Sequence, residues 1–181
     1  MEYSKGLIMT DEIVDQVDKK DNIIGECLKS ECHKKWLWHR GAAVFVFNKK
    51  GELLIQKRSP NVRRPNLLST SAAGHLSKGD LYLEGAKREL SEELGISVPL
   101  KFIGKMILYD EYPNGEIERE HYSIYICKYD GEMKIQKEEV TSIKFYPIAE
   151  IKRMIKENKD QFTPGFLQEF QYYMNWKKKN K

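Results

Sequence analysis

One stretch, Gly74 to Ile96, constrains the rest of the chain most: a loop of small and polar residues feeding a helix. From about Leu81 to Leu94 there is no proline, and Leu83, Ala86, Leu90 and Leu94 recur at helical spacing. Gly95 stands where a helix C-terminus takes a left-handed residue. One stripe of this helix is therefore buried. On the neighbouring face Glu89, Glu92 and Glu93 fall at i, i+3 and i+4, so three carboxylates converge within one turn. Like charges at that spacing destabilise a helix by a few tenths of a kcal/mol per pair, and a helix built only for solubility would interleave lysine. A hard divalent cation removes the conflict. Mg²⁺ takes an octahedral set of oxygens, is held by few carboxylates, and leaves its other positions to water and substrate phosphate. The cluster predicts a metal site that handles phosphates.

The same residues resemble the box of the Nudix hydrolases: Gly, five residues, Glu, seven residues, then Arg-Glu-aliphatic-any-Glu-Glu-any-Gly-aliphatic. Gly74, Arg88, Glu89, Leu90, Glu92, Glu93, Gly95 and Ile96 match, which is eight of the nine fixed positions over 23 residues. The departure is Asp80, which keeps the charge of the expected Glu but is one methylene shorter. A pattern of this length is far more specific than a lone glycine-rich loop; the bland alternative is a solvated acidic helix face.

The chain has 181 residues, enough for one domain with a sizeable core, and no composition break argues for two. Of the net charge of +4, the stretch Trp176 to Lys181 supplies four positives, so the body is nearly neutral. A domain-wide basic footprint is missing, which argues against nucleic acid as a partner. Cys27, Cys32 and Cys127 are an odd count without a Cys-x-x-Cys pair, so neither a disulfide framework nor a zinc knuckle is indicated, and a reducing compartment fits best. No signal-peptide core and no run of 18 apolar residues occurs, so the expectation is a cytoplasmic protein with no membrane partner.

In chain order, residues 1–10 read as a loose arm, 11–175 as a single domain containing the box at 74–96, and 176–181 as a solvated basic tail. Ile13-Val14 with Val17, and then Ile23-Ile24, flank a polar turn at Asp18 to Asn22, an added N-terminal hairpin. His33 and His39 lie six apart, on no common helical face, and packing is the ordinary role for each. Gly41 to Asn48 and Leu53 to Lys57 read as a second hairpin. Arg58, Arg63 and Arg64 follow; arginine grips phosphate bidentately, and Arg58 is the best placed, whereas Arg63 and Arg64 fit a solvated loop equally well. Leu67 to Ala73 is a strand of small residues running into Gly74. Val98 to Tyr109, His121 to Tyr129 and Ile143 to Tyr146 read as strands, with helices after Pro147 and Thr163-Pro164. Glu118 and Glu120 lie at strand spacing on one face. Alone they would suggest a charge-guarded sheet edge. Beside the box they suit further metal ligands or the base that takes a proton from attacking water.

What the resemblance implies is an α/β (α+β) fold, an α/β/α sandwich around a mixed sheet, here with the added hairpin. Outside the box, His33, His39, Phe45 to Leu54, Ala73-Gly74-His75, Glu118-Arg119-Glu120 and Thr163 to Phe166 are similar to isopentenyl-diphosphate isomerases of the Nudix superfamily. Those enzymes bind a metal through histidines and glutamates at positions similar to His33, His39, His75, Glu118 and Glu120. They also use a catalytic cysteine directly before the Gly-His pair, where this chain has Ala73. The histidines are then either inherited packing residues or ligands of a second metal.

The expected activity is hydrolysis of a phosphoanhydride bond in a nucleoside-diphosphate-linked or related diphosphate. Glu89, Glu92 and Glu93, helped by Glu118 or Glu120, would bind one to three Mg²⁺ or Mn²⁺ ions, with His39 and His75 as further candidates. Catalysis would fall to Glu92, Glu93, Glu89 and Glu120. Arg58 and His75 would meet the substrate, and Arg88 would pair with an acid to position the loop. An isomerase-like enzyme on a prenyl diphosphate and a non-catalytic nucleotide sensor are the alternatives. A monomer and a homodimer fit equally well.

Overall fold

The computed structural model describes residues 11–180. Residues 1–10, expected as a loose arm, and Lys181 lie outside the described residues. The chain opens with an antiparallel hairpin, β1 (Ile13–Val17) and β2 (Ile23–Leu28), which forms its own two-stranded sheet. Asp18 closes the turn by accepting from the Lys20 and Asn22 amides at 2.7 and 3.0 Å, and Asp21 takes a left-handed conformation at φ 68°. The short helix α1 (Lys29–Lys34) follows.

Cys27 and Cys32 are joined by a disulfide, with their Cα atoms 6.4 Å apart. The cysteine count and spacing pointed to none. The pair meets because the chain reverses from β2 into α1 over buried Val14, a turn that spacing along the sequence does not reveal.

Seven further strands form a mixed sheet: β3 (Trp38–Phe47), β4 (Leu53–Arg58), β5 (Leu68–Ser69), β6 (Ala72–His75), β7 (Lys101–Glu111), β8 (Ile117–Lys128) and β9 (Val140–Tyr146). The helices are α2 (Tyr82–Leu94), α3 (Ile148–Glu157) and α4 (Pro164–Lys179). β3 is central, parallel to β8 and antiparallel to β6. From Gly41 to Phe47 every residue is buried, as a strand covered on both faces requires. Side chains alternate across it. Ala43, Phe45 and Phe47 pack with Ile151 of α3 and with Phe166, Phe170 and Tyr173 of α4. Ala42, Val44 and Val46 pack with Ala86, Leu90 and Leu94 of α2. Helices on both faces complete an α/β/α sandwich.

Three local expectations give way to tertiary competition. β3 and β4 do not run on as a hairpin beyond the turn: they pair only at Phe47 and Leu53, after which β4 joins β9 and β5 while β3 joins β6 and β8. The strand expected over 67–73 breaks between Ser69 and Ala72, because the Ser71 hydroxyl donates to the Leu54 carbonyl at 2.6 Å and accepts from the Val46 amide at 3.0 Å. Residues 176–179, expected as a solvated tail, are the last turn of α4, where Lys101 lies over the Trp176 ring at 5.3 Å. Among the described residues no helix is long and apolar enough to cross a membrane.

Candidate active site

The end of β6, Ala73-Gly74-His75, pairs with central β3 and meets α2 side on. α2 ends at Gly95, whose φ of 67° is the left-handed cap. Glu93, 2% exposed, accepts from the Ala73 amide at 3.2 Å and from Gln56 Nε2 at 2.8 Å. Glu89 lies one turn earlier, against Gly74. Arg88 binds both sides of the junction: it donates to Glu89 at 2.8 Å, to Glu92 and Asp80 at 3.2 and 3.3 Å, and to the His75 carbonyl at 2.9 Å. Glu89 and Glu93 therefore face inward together. Glu92, with a side chain 54% exposed, turns outward onto Arg88.

Burial, a barrier to the charged form, pushes Glu89 up to about 7 and Glu93 up to about 8, and the charge of Glu89 adds to the rise at Glu93. Two carboxyls held near neutrality in a dry pocket suit a cation that would neutralise them. Gly74 is required by contact: a Cβ there would stand 2.3 Å from Glu89 Oε2. The Gly74→Ala variant is expected to displace that carboxylate and lower turnover by about tenfold or more, read from steady-state rates with a melting curve to confirm folding.

A second cluster gathers at the end of the same strand. His33 from α1, His39 from β3 and His75 from β6 place one ring nitrogen each within 4.8 Å of one another. His33 Nε2 is 3.5 Å from Glu118 Oε1, His39 Nε2 is 3.6 Å from Glu120 Oε1, and His75 Nε2 is 3.9 and 3.6 Å from the same two oxygens. The register explains the meeting: His39 pairs with Glu120 across β3 and β8, while Gly41 pairs with His75 across β3 and β6. Gly41 carries no side chain because a Cβ would lie 2.2 Å from the Tyr122 ring and 2.5 Å from Glu120 Oε1.

The donor set fits a metal. His39 Nδ1 donates to the Leu37 carbonyl at 3.0 Å, which leaves Nε2 unprotonated toward the cluster. His39 Nε2 and Glu120 Oε1 are buried with no hydrogen-bond partner among the described residues. Burial holds His33 down at about 3 and His39 at about 4, so both are neutral at pH 7 and able to ligate. Burial likewise lowers His75 and raises Glu118 and Glu120. Neutral imidazoles and carboxylates at these separations suit a transition metal such as Mn²⁺ or Zn²⁺.

The arginines occupy the rim. Arg58 Nε donates to the Arg63 carbonyl at 2.9 Å, Arg63 pairs with Glu116 at 2.7 Å, and Arg64 forks onto Asp110. Arg63 and Arg64 lie at 5.0 and 4.5 Å from the Tyr112 ring centroid, so the loop is folded onto the β7–β8 connection. Sequence reasoning missed Gln56, Asp110 and Tyr122. For Gln56 a signal existed, a lone amide directly after the apolar run Leu53-Leu54-Ile55, in the buried first two-thirds of β4.

Comparison with known proteins places the chain in a family. The NUDIX domain family matches residues 37–166. An isopentenyl-diphosphate Delta-isomerase 2 of Photorhabdus laumondii is 36% identical over 157 residues, covering 86% of this chain and 89% of that protein. An uncharacterized Nudix hydrolase of Clostridium acetobutylicum is 34% identical over 169 residues, covering 88% and 82%. In fold, a crystal structure of a protein from Deinococcus radiodurans superposes with a TM-score of 0.69 at 21% identity, covering 81% of this chain and 90% of the other. With most of its length matched and the box residues gathered at one loop, the chain belongs to the Nudix family.

Proposed function

We propose that the protein is a metal-dependent hydrolase that cleaves a phosphoanhydride bond in a diphosphate substrate. One observation carries this reading: residues 73–75 join both acid clusters, with Glu93 on the Ala73 amide, Glu89 against Gly74, and His75 among the histidines. A diphosphate lying along that strand end would meet both sets at once.

Glu89, Glu92 and Glu93 would hold Mg²⁺ or Mn²⁺ on the α2 side, and His33, His39, His75, Glu118 and Glu120 a second ion. Bound metal neutralises phosphate oxygens and lowers the pKa of water. With Glu120 Oε1 turned to the histidines, its second carboxylate oxygen would accept the proton of the attacking water. Arg58 offsets negative charge at the rim, and Arg88 holds the loop in register with α2.

The histidine cluster and the 36%-identical isomerase relative favour a second reading, isomerisation of a prenyl diphosphate. Ala73 opposes it, because its methyl group cannot exchange a proton with an alkene. Both readings are tested together. The purified protein with Mg²⁺ or Mn²⁺ is expected to release phosphate or a nucleoside monophosphate from at least one member of a diphosphate panel. Deuterium exchange into isopentenyl diphosphate, without phosphate release from the panel, would overturn the hydrolase reading.

A further inference from the structure

The same face of the sheet buries one more carboxylate, which neither metal cluster uses. Glu169 of α4 is 3% exposed, between Phe166 and Phe170 along the helix. Its Oε2 accepts from the Thr70 hydroxyl, the one hydrogen bond its carboxylate makes among the described residues. Oε1 turns toward half-buried Gly165, 3.7 Å from where a Cβ would stand, an ordinary contact distance.

Gly165 adjoins the site. A Cβ on Gly165 would be 3.4 Å from Leu108 Cδ1, and Leu108 is the cross-strand partner of Glu120. Tyr122, two residues beyond Glu120 on β8, covers Gly41 beside the Glu120 carboxylate. Burial lifts Glu169 to about 7. Packing alone would be better served by leucine or methionine here, since a buried carboxylate costs free energy unless its oxygens are hydrogen-bonded.

We propose that Glu169 is a specificity-determining residue, its Oε1 accepting a hydrogen bond from a hydroxyl on the non-phosphate part of the substrate as that part enters over Gly165. The inference rests on the proposed function only for where the diphosphate lies. A sugar-bearing diphosphate satisfies Oε1, whereas a hydrocarbon chain strips it of water and returns nothing. Sites built to hydrogen-bond a hydroxyl reject analogues that lack it far more strongly than apolar pockets reject an extra methylene.

The test measures binding separately from turnover. Calorimetric affinities for ADP-ribose and dimethylallyl diphosphate, with Mg²⁺, are compared among wild type, Glu169→Met and Glu169→Gln, each checked by a melting curve. The wild type is expected to bind ADP-ribose about tenfold tighter or more. Glu169→Met should lose that margin for ADP-ribose and bind dimethylallyl diphosphate unchanged or more tightly. Glu169→Gln, which keeps an acceptor, should lose about threefold or less. Equal losses for both ligands in a folded variant, no loss for ADP-ribose, or a wild type that binds neither ligand or prefers dimethylallyl diphosphate would each overturn the proposal. The wild-type comparison decides even if Glu169→Met fails to fold. ADP-ribose bound through Glu169 with no member of the diphosphate panel hydrolysed would sink the hydrolase reading alone; ADP-ribose hydrolysed equally well by Glu169→Met would sink the specificity role alone.

Discussion

Glu93→Gln is expected to lower turnover at saturating substrate by about tenfold or more while making the metal-free protein more stable above neutral pH. The two effects share one cause. Glu93 is buried, and its carboxyl is pushed up to about 8 from the ordinary value of 4.5. Between those values the folded state holds a proton that the unfolded chain releases, so the contribution of Glu93 to stability is present at low pH and falls as pH rises through the window. Gln has the same shape, still accepts from the Ala73 amide, and never ionises. The variant should therefore gain on wild type progressively from about pH 5 to pH 8, by a few kcal/mol at most. Urea titrations at several pH values in EDTA read the gain, and steady-state rates with Mg²⁺ read the loss. A variant with near-normal turnover would remove Glu93 from the active site. Glu92→Gln should lose activity similarly, but its half-exposed side chain predicts no comparable gain in stability.

The second large effect is expected from the histidine cluster. Mn²⁺ at about a hundred times its dissociation constant should raise the melting temperature by roughly 5–10 °C, and EDTA should reverse the rise. His75→Ala removes a largely buried ligand, so the metal-free variant should melt below wild type, and the Mn²⁺-induced rise is read within each variant. With Mn²⁺ it should keep only what the α2 carboxylates supply. The pH dependence carries a sign. Because His33 and His39 titrate near 3 and 4 in the folded protein, the unfolded chain binds more protons between those values and 6.5. Their contribution to stability is complete above pH 6.5 and falls as pH drops through that window. In the folded protein these two imidazoles take up protons only near pH 3 to 4, so their competition with Mn²⁺ should cut the induced rise only as pH falls into that range. An equal Mn²⁺ effect in wild type and in the double variant His75→Ala/Glu118→Gln would mean that these side chains hold no metal.

Legibility in the sequence followed the range of the forces involved. α2 and its C-cap were readable because helical periodicity, the left-handed glycine and like-charge crowding all act within a few residues. The facing pair Glu118 and Glu120 was readable for the same reason, from the two-residue period of a strand. The sharing of ligands among His33, His39 and His75 was not, since those residues sit on a helix and two strands and meet only through the pairing of β3 with β6 and β8. The resemblance to isomerases, rather than spacing, brought His33 into consideration.

The sequence by itself determined α2 with its acidic turn and its Gly95 cap, the helices after Pro147 and Thr163, and the absence of a thiol at Ala73, because each depends on residue type and near neighbours. Tertiary structure alone decided that Glu92 turns out onto Arg88 while Glu89 and Glu93 turn in, that Cys27 bonds Cys32, and that Glu169 ends beside Thr70. Burial and register are properties of packed surfaces, and a carboxylate acquires a perturbed charge state only once the neighbours that exclude water have been assembled around it.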